Sequence, residues 1–412
     1  MKSFVLVFAL LLLSANFSEA QGPIRRILDR LFNREFKADD SRATVEDVSA
    51  VIKANNMFAF DLYQEISPRE GNLFFSPYSI SSALAMTYEG AGGETAEAIR
   101  DVFHFPETEV LRNGYARLYN EMRAVKEYEM NVANALWVQK NYALLENYLD
   151  IMRRYYGGGA ENVDFVKDAE GSRKVINGWV EEQTKERIKD LIPEKVITPR
   201  TLLVITNAIY FKGMWALQFD EGLTRKSDFR TGENKSVEVD MMSLPDQSFR
   251  YLDTSEAQVL ELPYRGENTS MVLLLPKGDI GDFESSLSYE KLESLMDGMR
   301  EKEVNVYLPK FKLEESMSLN EPLIDMGMKP AFGTEADFSG ITGSRDLYIS
   351  DVVHKAFVEV DEKGTEAAAA TAVVFTRTAL RENVFRADHP FIFLIQQGDN
   401  ILFMGRVMDP TA

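Results

Sequence analysis

Cysteine is absent from the 412-residue sequence, and histidine and tryptophan occur three times each. Without thiols there can be no disulfide staple, no zinc–thiolate site and no thioether-linked lipid, so stability must come from a buried core. Histidines at 104, 354 and 389 leave little room for a His-rich metal centre or for several acid–base sites. Also missing are a GxSxG nucleophile turn, an HExxH helix and a GxxxxGK[ST] phosphate loop. The cluster Gly90-Ala91-Gly92-Gly93 lacks the lysine of a phosphate cradle and reads as a helix ending in a tight turn. Ser350 and Asp351 near His354 imitate a catalytic triad on paper only. Three residues within five positions of one strand cannot put nucleophile, base and orienter in line, and His354 reads instead as a hydrogen-bonded core histidine. Carboxylates are plentiful, yet nothing in their spacing suggests an acid pair for glycoside hydrolysis. The chain is therefore not read as an enzyme, and neither metal nor cofactor is expected.

Positive charge is also scarce: 46 Lys and Arg stand against 65 Asp and Glu, a net charge of −19. That balance argues against nucleic acid and other strong polyanions as partners. Long apolar runs are missing except for Phe4–Leu13, which is too short to span a bilayer comfortably. With Lys2 before it and Ser18-Glu19-Ala20 after it, residues 1–20 read as a secretory signal peptide, which places the mature chain outside the cell or in a periplasm. Residues 21–44 form a basic extension in which Ile24, Ile27, Leu28, Leu31 and Phe32 fall at helical spacing among Arg25, Arg26, Arg30 and Arg34. Its apolar stripe suits docking on the acidic body or weak association with an anionic membrane; a plain linker is the third reading.

From residue 45 to 412 the sequence is continuously globular, without internal repeat or low-complexity linker. Helical periodicity opens the domain at Val45 and recurs over Ile80–Glu89, Ala96–Val102, Glu109–Glu121, Leu145–Tyr156, Ala169–Glu186 and Tyr289–Met299. Strand patterns cover Asn131–Gln139, Thr201–Tyr210, Ala257–Leu262, Ser270–Leu275, Glu303–Pro309, Phe391–Gln396 and Asn400–Val407. Helices crowd the first half and strands the second, which predicts one α+β domain with substantial antiparallel sheet.

The segment from Glu359 to Phe391 starts as a strand and then abruptly loses bulk. Gly364 is a permissive joint, and Thr365 to Ala372 are small apart from Glu366: Ala367, Ala368, Ala369 and Ala370 are consecutive. Side chains of that size can enter a tight slot without displacing packed neighbours. Read as a strand, Thr365, Ala367, Ala369, Thr371, Val373 and Phe375 share one face, and Glu366 is the only charge before Arg377. Composition alone would favour an Ala-rich helix; the flanks decide otherwise.

Those flanks resemble the serpin family over nearly all of Val45 to Pro410. The similarity rests on Asn72-Leu-Phe-Phe-Ser-Pro-Tyr-Ser-Ile-Ser-Ser82, Glu89-Gly-Ala-Gly-Gly-Glu-Thr95, Thr206-Asn-Ala-Ile-Tyr-Phe-Lys-Gly-Met-Trp215, Asp337-Phe-Ser-Gly-Ile341, Val352-Val-His-Lys-Ala356, Asp388-His-Pro-Phe391 and Gly405-Arg-Val-Met-Asp-Pro410, in serpin order. It implies helices packed on a large, mostly antiparallel central sheet, further sheets, and an exposed reactive loop at about 362–386. It implies a suicide inhibitor: a serine protease cuts the loop, forms an acyl-enzyme, and is trapped as the loop inserts into the central sheet. By the same resemblance Ser76, Ser79, Asn207 and His354 match the gate that must open in that sheet, Trp215 matches the place where the loop first enters, and the hinge is Glu362, Gly364, Thr365 and the residues through Ala370. A monomer is expected.

Serpin loops place the acyl-side residue seventeen positions along, counting the Glu before Lys-Gly-Thr as the first. From Glu362 that count reaches Thr378, so the reactive bond is expected at Thr378–Ala379, which suits elastase-like or subtilisin-like pockets. The alternative bond, Arg377–Thr378, needs a loop one residue shorter and suits a trypsin-like pocket. The competing function is a serpin-like carrier or chaperone that traps nothing; it predicts bulky or charged hinge residues where this chain has threonine and alanines.

Overall fold

The computed structural model describes residues 36–232, 235–266, 268–365 and 383–412. The first helix, α1 (Val45–Ile66), is fixed at its start by a reciprocal cap, the Thr44 hydroxyl accepting the Asp47 N–H while the Asp47 carboxylate accepts the Thr44 N–H. It buries Val51, Phe58, Leu62 and Ile66. After the short strand β1 (Leu73–Phe75), helix α2 (Pro77–Tyr88) starts with Ser76 as N-cap and proline in its first turn. Every residue of α2 from Pro77 to Thr87 is buried, which marks a helix running through the core. Helices α3 (Gly93–Val102) and α4 (Thr108–Ala124) pack outside it.

Two sheets complete the frame. Strands β2 (Tyr128–Gln139), β3 (Gly159–Val163) and β4 (Leu203–Gly213) join the later β10 (Phe311–Ser318) and β11 (Ile349–Val360) in a five-stranded sheet ordered β10-β11-β4-β2-β3. Between β2 and β3 lies helix α5 (Glu146–Ile151), which widens into a π turn over Met152–Tyr156 and stops at Gly157 with φ +61°. Helix α6 (Ala169–Gln183) covers the outer face of this sheet. The larger sheet, of nine strands, holds β1, β5 (Arg225–Gly232), β6 (Lys235–Asp253), β7 (Ala257–Pro263), β8 (Thr269–Pro276), β9 (Arg300–Pro309), β12 (Asn383–Arg386), β13 (Phe391–Gln397) and β14 (Asn400–Val407). All its pairings are antiparallel except β9 with β12.

Strand periodicity decides what faces what. On β4, Leu203, Ile205, Ile209 and Phe211 enter the main core with α1 and α2, while Val204, Ala208 and Tyr210 join Trp137 and Trp179 in a second core under α6. Asn207 falls in the first set by its spacing, and a polar residue thus sits deep inside the protein. Trp137 and Trp179 meet edge to face at 5.3 Å, and the Trp137 indole N–H donates to Thr206 Oγ1.

The α+β expectation and its main elements agree with this architecture. The expected Leu145–Tyr156 helix is present over Glu146–Tyr156 but is π-wound from Met152, and the pattern reading passed over β1, β3, β5, β6, β10 and β12. Within the expected loop of about 362–386, Asn383–Arg386 form a strand paired in parallel with Val304–Tyr307 of β9.

Candidate functional site

At the middle of the five-stranded sheet β4 and β11 run parallel and directly adjacent, with His354 opposite Asn207. No strand lies between them. Both side chains are fully buried. The Ser76 N–H donates to His354 Nε2 at 3.2 Å, so that nitrogen is bare, and the proton sits on Nδ1, which donates to Asn207 Oδ1. The Asn207 amide donates onward to Ser79 Oγ and Asn134 Oδ1, each at 2.6 Å, and the Asn134 amide returns a bond to the Ser79 carbonyl at 3.0 Å. The Ser76 hydroxyl accepts from Ser79 N–H and donates to the Leu402 carbonyl at 2.6 Å. One network thus ties β2, β4 and β11 to the start of α2 and to β14. Burial holds the His354 imidazole neutral, depressing its pKa from 6.5 to about 3.

At the C-terminal end of β11 the chain reverses. The Asp361 carboxylate accepts the N–H groups of Lys363 and Gly364, and Asp361 N–H donates to the Gly364 carbonyl. Gly364 adopts φ +144°, and an added Cβ would stand 2.2 Å from the Gly213 carbonyl oxygen and 2.7 Å from Met214 Cα. Only glycine fits there on either ground. Gly364 bridges antiparallel to Met214, and the Thr365 N–H donates to the Gly213 carbonyl at 2.6 Å.

Several distant segments clamp this reversal. Trp215 is buried, stacks on Tyr264 at 4.5 Å, and donates its indole N–H to the Asp361 carbonyl. Tyr264 shares a hydrogen bond with the hydroxyl of buried Thr365. Glu362 is 6% exposed; it accepts from the Thr224 hydroxyl at 2.7 Å and pairs with Lys310 at 3.0 Å. Burial pushes its carboxyl up, but those two bonds outweigh burial and leave the pKa lowered.

The structure therefore brings Ser76, Ser79, Asn207 and His354 together, and separately brings Trp215 to Glu362, Gly364 and Thr365. Glu366, Ala367, Ala368, Ala369 and Ala370, and the bonds Thr378–Ala379 and Arg377–Thr378, lie outside the described residues. Sequence reasoning missed Asn134, whose signal was a lone asparagine within the apolar part of its strand. It also missed Thr224, Tyr264, Lys310 and Asp361, which no spacing links to the hinge. The triad-like trio shares no bond: Ser350 Oγ accepts the Leu202 N–H, while His354 is held by Asn207 and Ser76.

Buried polar residues thus bolt two adjacent parallel strands together at the middle of the sheet, and the chain reverses at Asp361–Thr365 where one of those strands ends. Residues 53–410 match the family described as Serpin (serine protease inhibitor), and the chain belongs to that family. An uncharacterised serpin-like protein of Thermococcus kodakarensis is 46% identical over 370 residues, covering 87% of this chain and 86% of that protein. The leukocyte elastase inhibitor of Sus scrofa is 41% identical over 381 residues, covering 89% of this chain and 100% of the inhibitor. The crystal structure of Serpin48, a highly specific serpin of the insect Tenebrio molitor, has a TM-score of 0.82 at 36% identity and covers 89% of this chain and 100% of its own.

Proposed function

We propose that this serpin is an exported suicide inhibitor of serine proteases, cut at Thr378–Ala379, that traps the acyl-enzyme by inserting the cleaved loop between β4 and β11. The observation that carries the reading is the hairpin at Asp361–Thr365. A strand that continues from it runs antiparallel to both parallel neighbours, so both can give it full ladders. Its first rung, from Thr365 N–H to the Gly213 carbonyl, is already in place. Glu362, Gly364 and Thr365 act as the anchored end of the hinge, Trp215 marks where the loop enters, and Ser76, Ser79, Asn207 and His354, joined by Asn134, hold the gate shut until cleavage frees the loop.

The length suits the task. Fourteen residues from Thr365 to Thr378 at about 3.3 Å each reach roughly 46 Å, which carries an attached protease along the sheet. Some ten new ladder bonds at about 1 kcal/mol each supply on the order of 10 kcal/mol, comparable to the stability of a protease domain, about 5–15 kcal/mol. Distortion of the trapped active site is within that range. A small threonine at the cut favours elastase-like or subtilisin-like targets, and the likeness to a leukocyte elastase inhibitor supports the first. Export rests on the signal-like residues 1–20, which lie outside the described residues.

The test is incubation with elastase, subtilisin and trypsin, followed by denaturing electrophoresis and mass spectrometry of the cut. A denaturant-resistant complex with elastase or subtilisin, cut after Thr378, is expected; a complex with trypsin cut after Arg377 would move the reactive bond by one. Clean loop cleavage with every protease left active would overturn inhibition in favour of a non-inhibitory carrier or chaperone.

A further inference from the structure

We propose that the apolar stripe of Gln21–Glu35 docks in a pocket between α4 and β2 and slows insertion of the reactive loop; this rests on the insertion reading above. The pocket has a volume of about 140 Å³ and is lined by Tyr119, Met122 and Arg123 of α4 and by Met130, Val132 and Asn134 of β2, among others. The chain leads to it. In the first turn of α1, Asp47 accepts from Asn113 in the first half of α4; ahead of the helix, Ala38 exchanges two backbone bonds with the Asn120 side chain, and Phe36 sets its ring edge on Tyr119 at 5.7 Å. Read backwards from α1, the segment travels toward the C-terminal end of α4, and at Phe36, the first described residue, it stands at the pocket's rim.

The sequence outside the described residues continues in register. Ile24, Leu28, Phe32 and Phe36 recur every fourth residue, with Ile27 and Leu31 beside them. Were the segment helical, at 1.5 Å per residue Phe32 would fall about 6 Å beyond Phe36, within reach of Met122 and Arg123, one turn past Tyr119. Arg25, Arg26, Arg30 and Arg34 fall between these positions, complementary to a chain of net charge −19. The same charge repels the body from an anionic membrane, which favours docking over tethering.

Occupancy of this pocket bears on the gate. Asn134, one of its walls, accepts the Asn207 amide, and β2 is paired with β4 along its length. Parting β4 from β11 carries β2 with it across α4, so a side chain wedged between α4 and β2 must leave first.

The experiment compares the chain starting at Gln21, a truncation starting at Phe36 that keeps the Ala38–Asn120 bonds, and Phe32→Asp in the longer chain. Each is incubated without protease and scored for conversion to a heat-resistant form that gives no covalent complex. Truncation and Phe32→Asp should each speed conversion at least tenfold, and a synthetic Gln21–Glu35 peptide should slow the truncated protein again while the same peptide with Phe32→Asp should not. Equal rates in all three proteins, or no effect of the peptide, would overturn docking. So would binding of the longer chain to phosphatidylglycerol vesicles with no change of rate on truncation. Each protein is also cut in the loop by a non-target protease as a control. If cutting brings no heat resistance, the insertion reading falls and this proposal with it; if cutting does and the rates are equal, docking alone fails.

Discussion

His354 is a neutral imidazole whose two nitrogens are committed in opposite senses, one donating to Asn207 and one accepting from Ser76. A proton added at Nε2 would face the Ser76 N–H, donor against donor, so acid attacks this network, the proposed gate, at this atom. The folded pKa of about 3 lies below the ordinary 6.5, so the stabilisation is complete above about pH 6.5 and is lost progressively as pH falls toward 3. Asp351, three residues away, has the opposite sign: burial raises its carboxyl to about 6, and the penalty of its charge fades over the same range. Conversion to the loop-inserted form should therefore accelerate between pH 6.5 and 4.5 in an Asp351→Asn background, and His354→Gln in that background should flatten the profile. Rates followed by native electrophoresis at each pH check this. A profile unchanged by His354→Gln would remove His354 as the acid-sensitive part.

Among the elements, the hairpin at the end of β11 is where local geometry and function meet most closely. Gly364→Ala places a methyl against the Gly213 carbonyl at a φ that side chains avoid. The first rung should be lost at a stability penalty of about 1–3 kcal/mol. The loop should still be cut at an unchanged rate, while the number of inhibitor molecules consumed per trapped protease should rise several-fold; active-site titration of the surviving protease measures it. Trapping at the wild-type ratio would mean that insertion does not start here. How far these elements were legible follows from what each depends on. Helices α1 and α4 carry strong periodicity, and β13 and β14 are short apolar runs, so sequence suffices for them. Strand β6 runs from Lys235 to Asp253 with a register shift between Leu244 and Gln247, at Pro245, and half its length is polar, so no clean alternation announces it. The joint at Gly364 was legible because a glycine closely follows the strand and the residues after it lose bulk. Its clamp was not, because Thr224, Tyr264 and Lys310 arrive from three different strands or their borders. Burial of His354 followed from the strand around it and that of Asn207 from motif resemblance, whereas their link through Asn134 needed the register of β2 against β4.

For the whole molecule the proposed function turns on the five-stranded sheet, in which β4 and β11 close on each other and between which, on that reading, the chain would insert one more strand. A protein so built should be less stable intact than nicked. On the proposed mechanism, cutting the loop would release one end and let the segment after Thr365 enter, adding on the order of 10 kcal/mol to a fold whose unfolding otherwise needs about 5–15 kcal/mol. For domains of 150–250 residues each kcal/mol shifts the melting temperature by about 2–4 °C, and by less in a larger one, so the nicked protein should melt on the order of 20 °C above the intact one. Without cysteines, no disulfide obscures that comparison. The measurement is circular dichroism melting of intact protein and of protein cut in the loop by a protease that it does not trap. A Gly364→Ala protein cut in the same way should recover only part of the rise. That difference separates insertion seeded at the hinge from stabilisation by loss of a strained loop, in which case both cut proteins would gain equally.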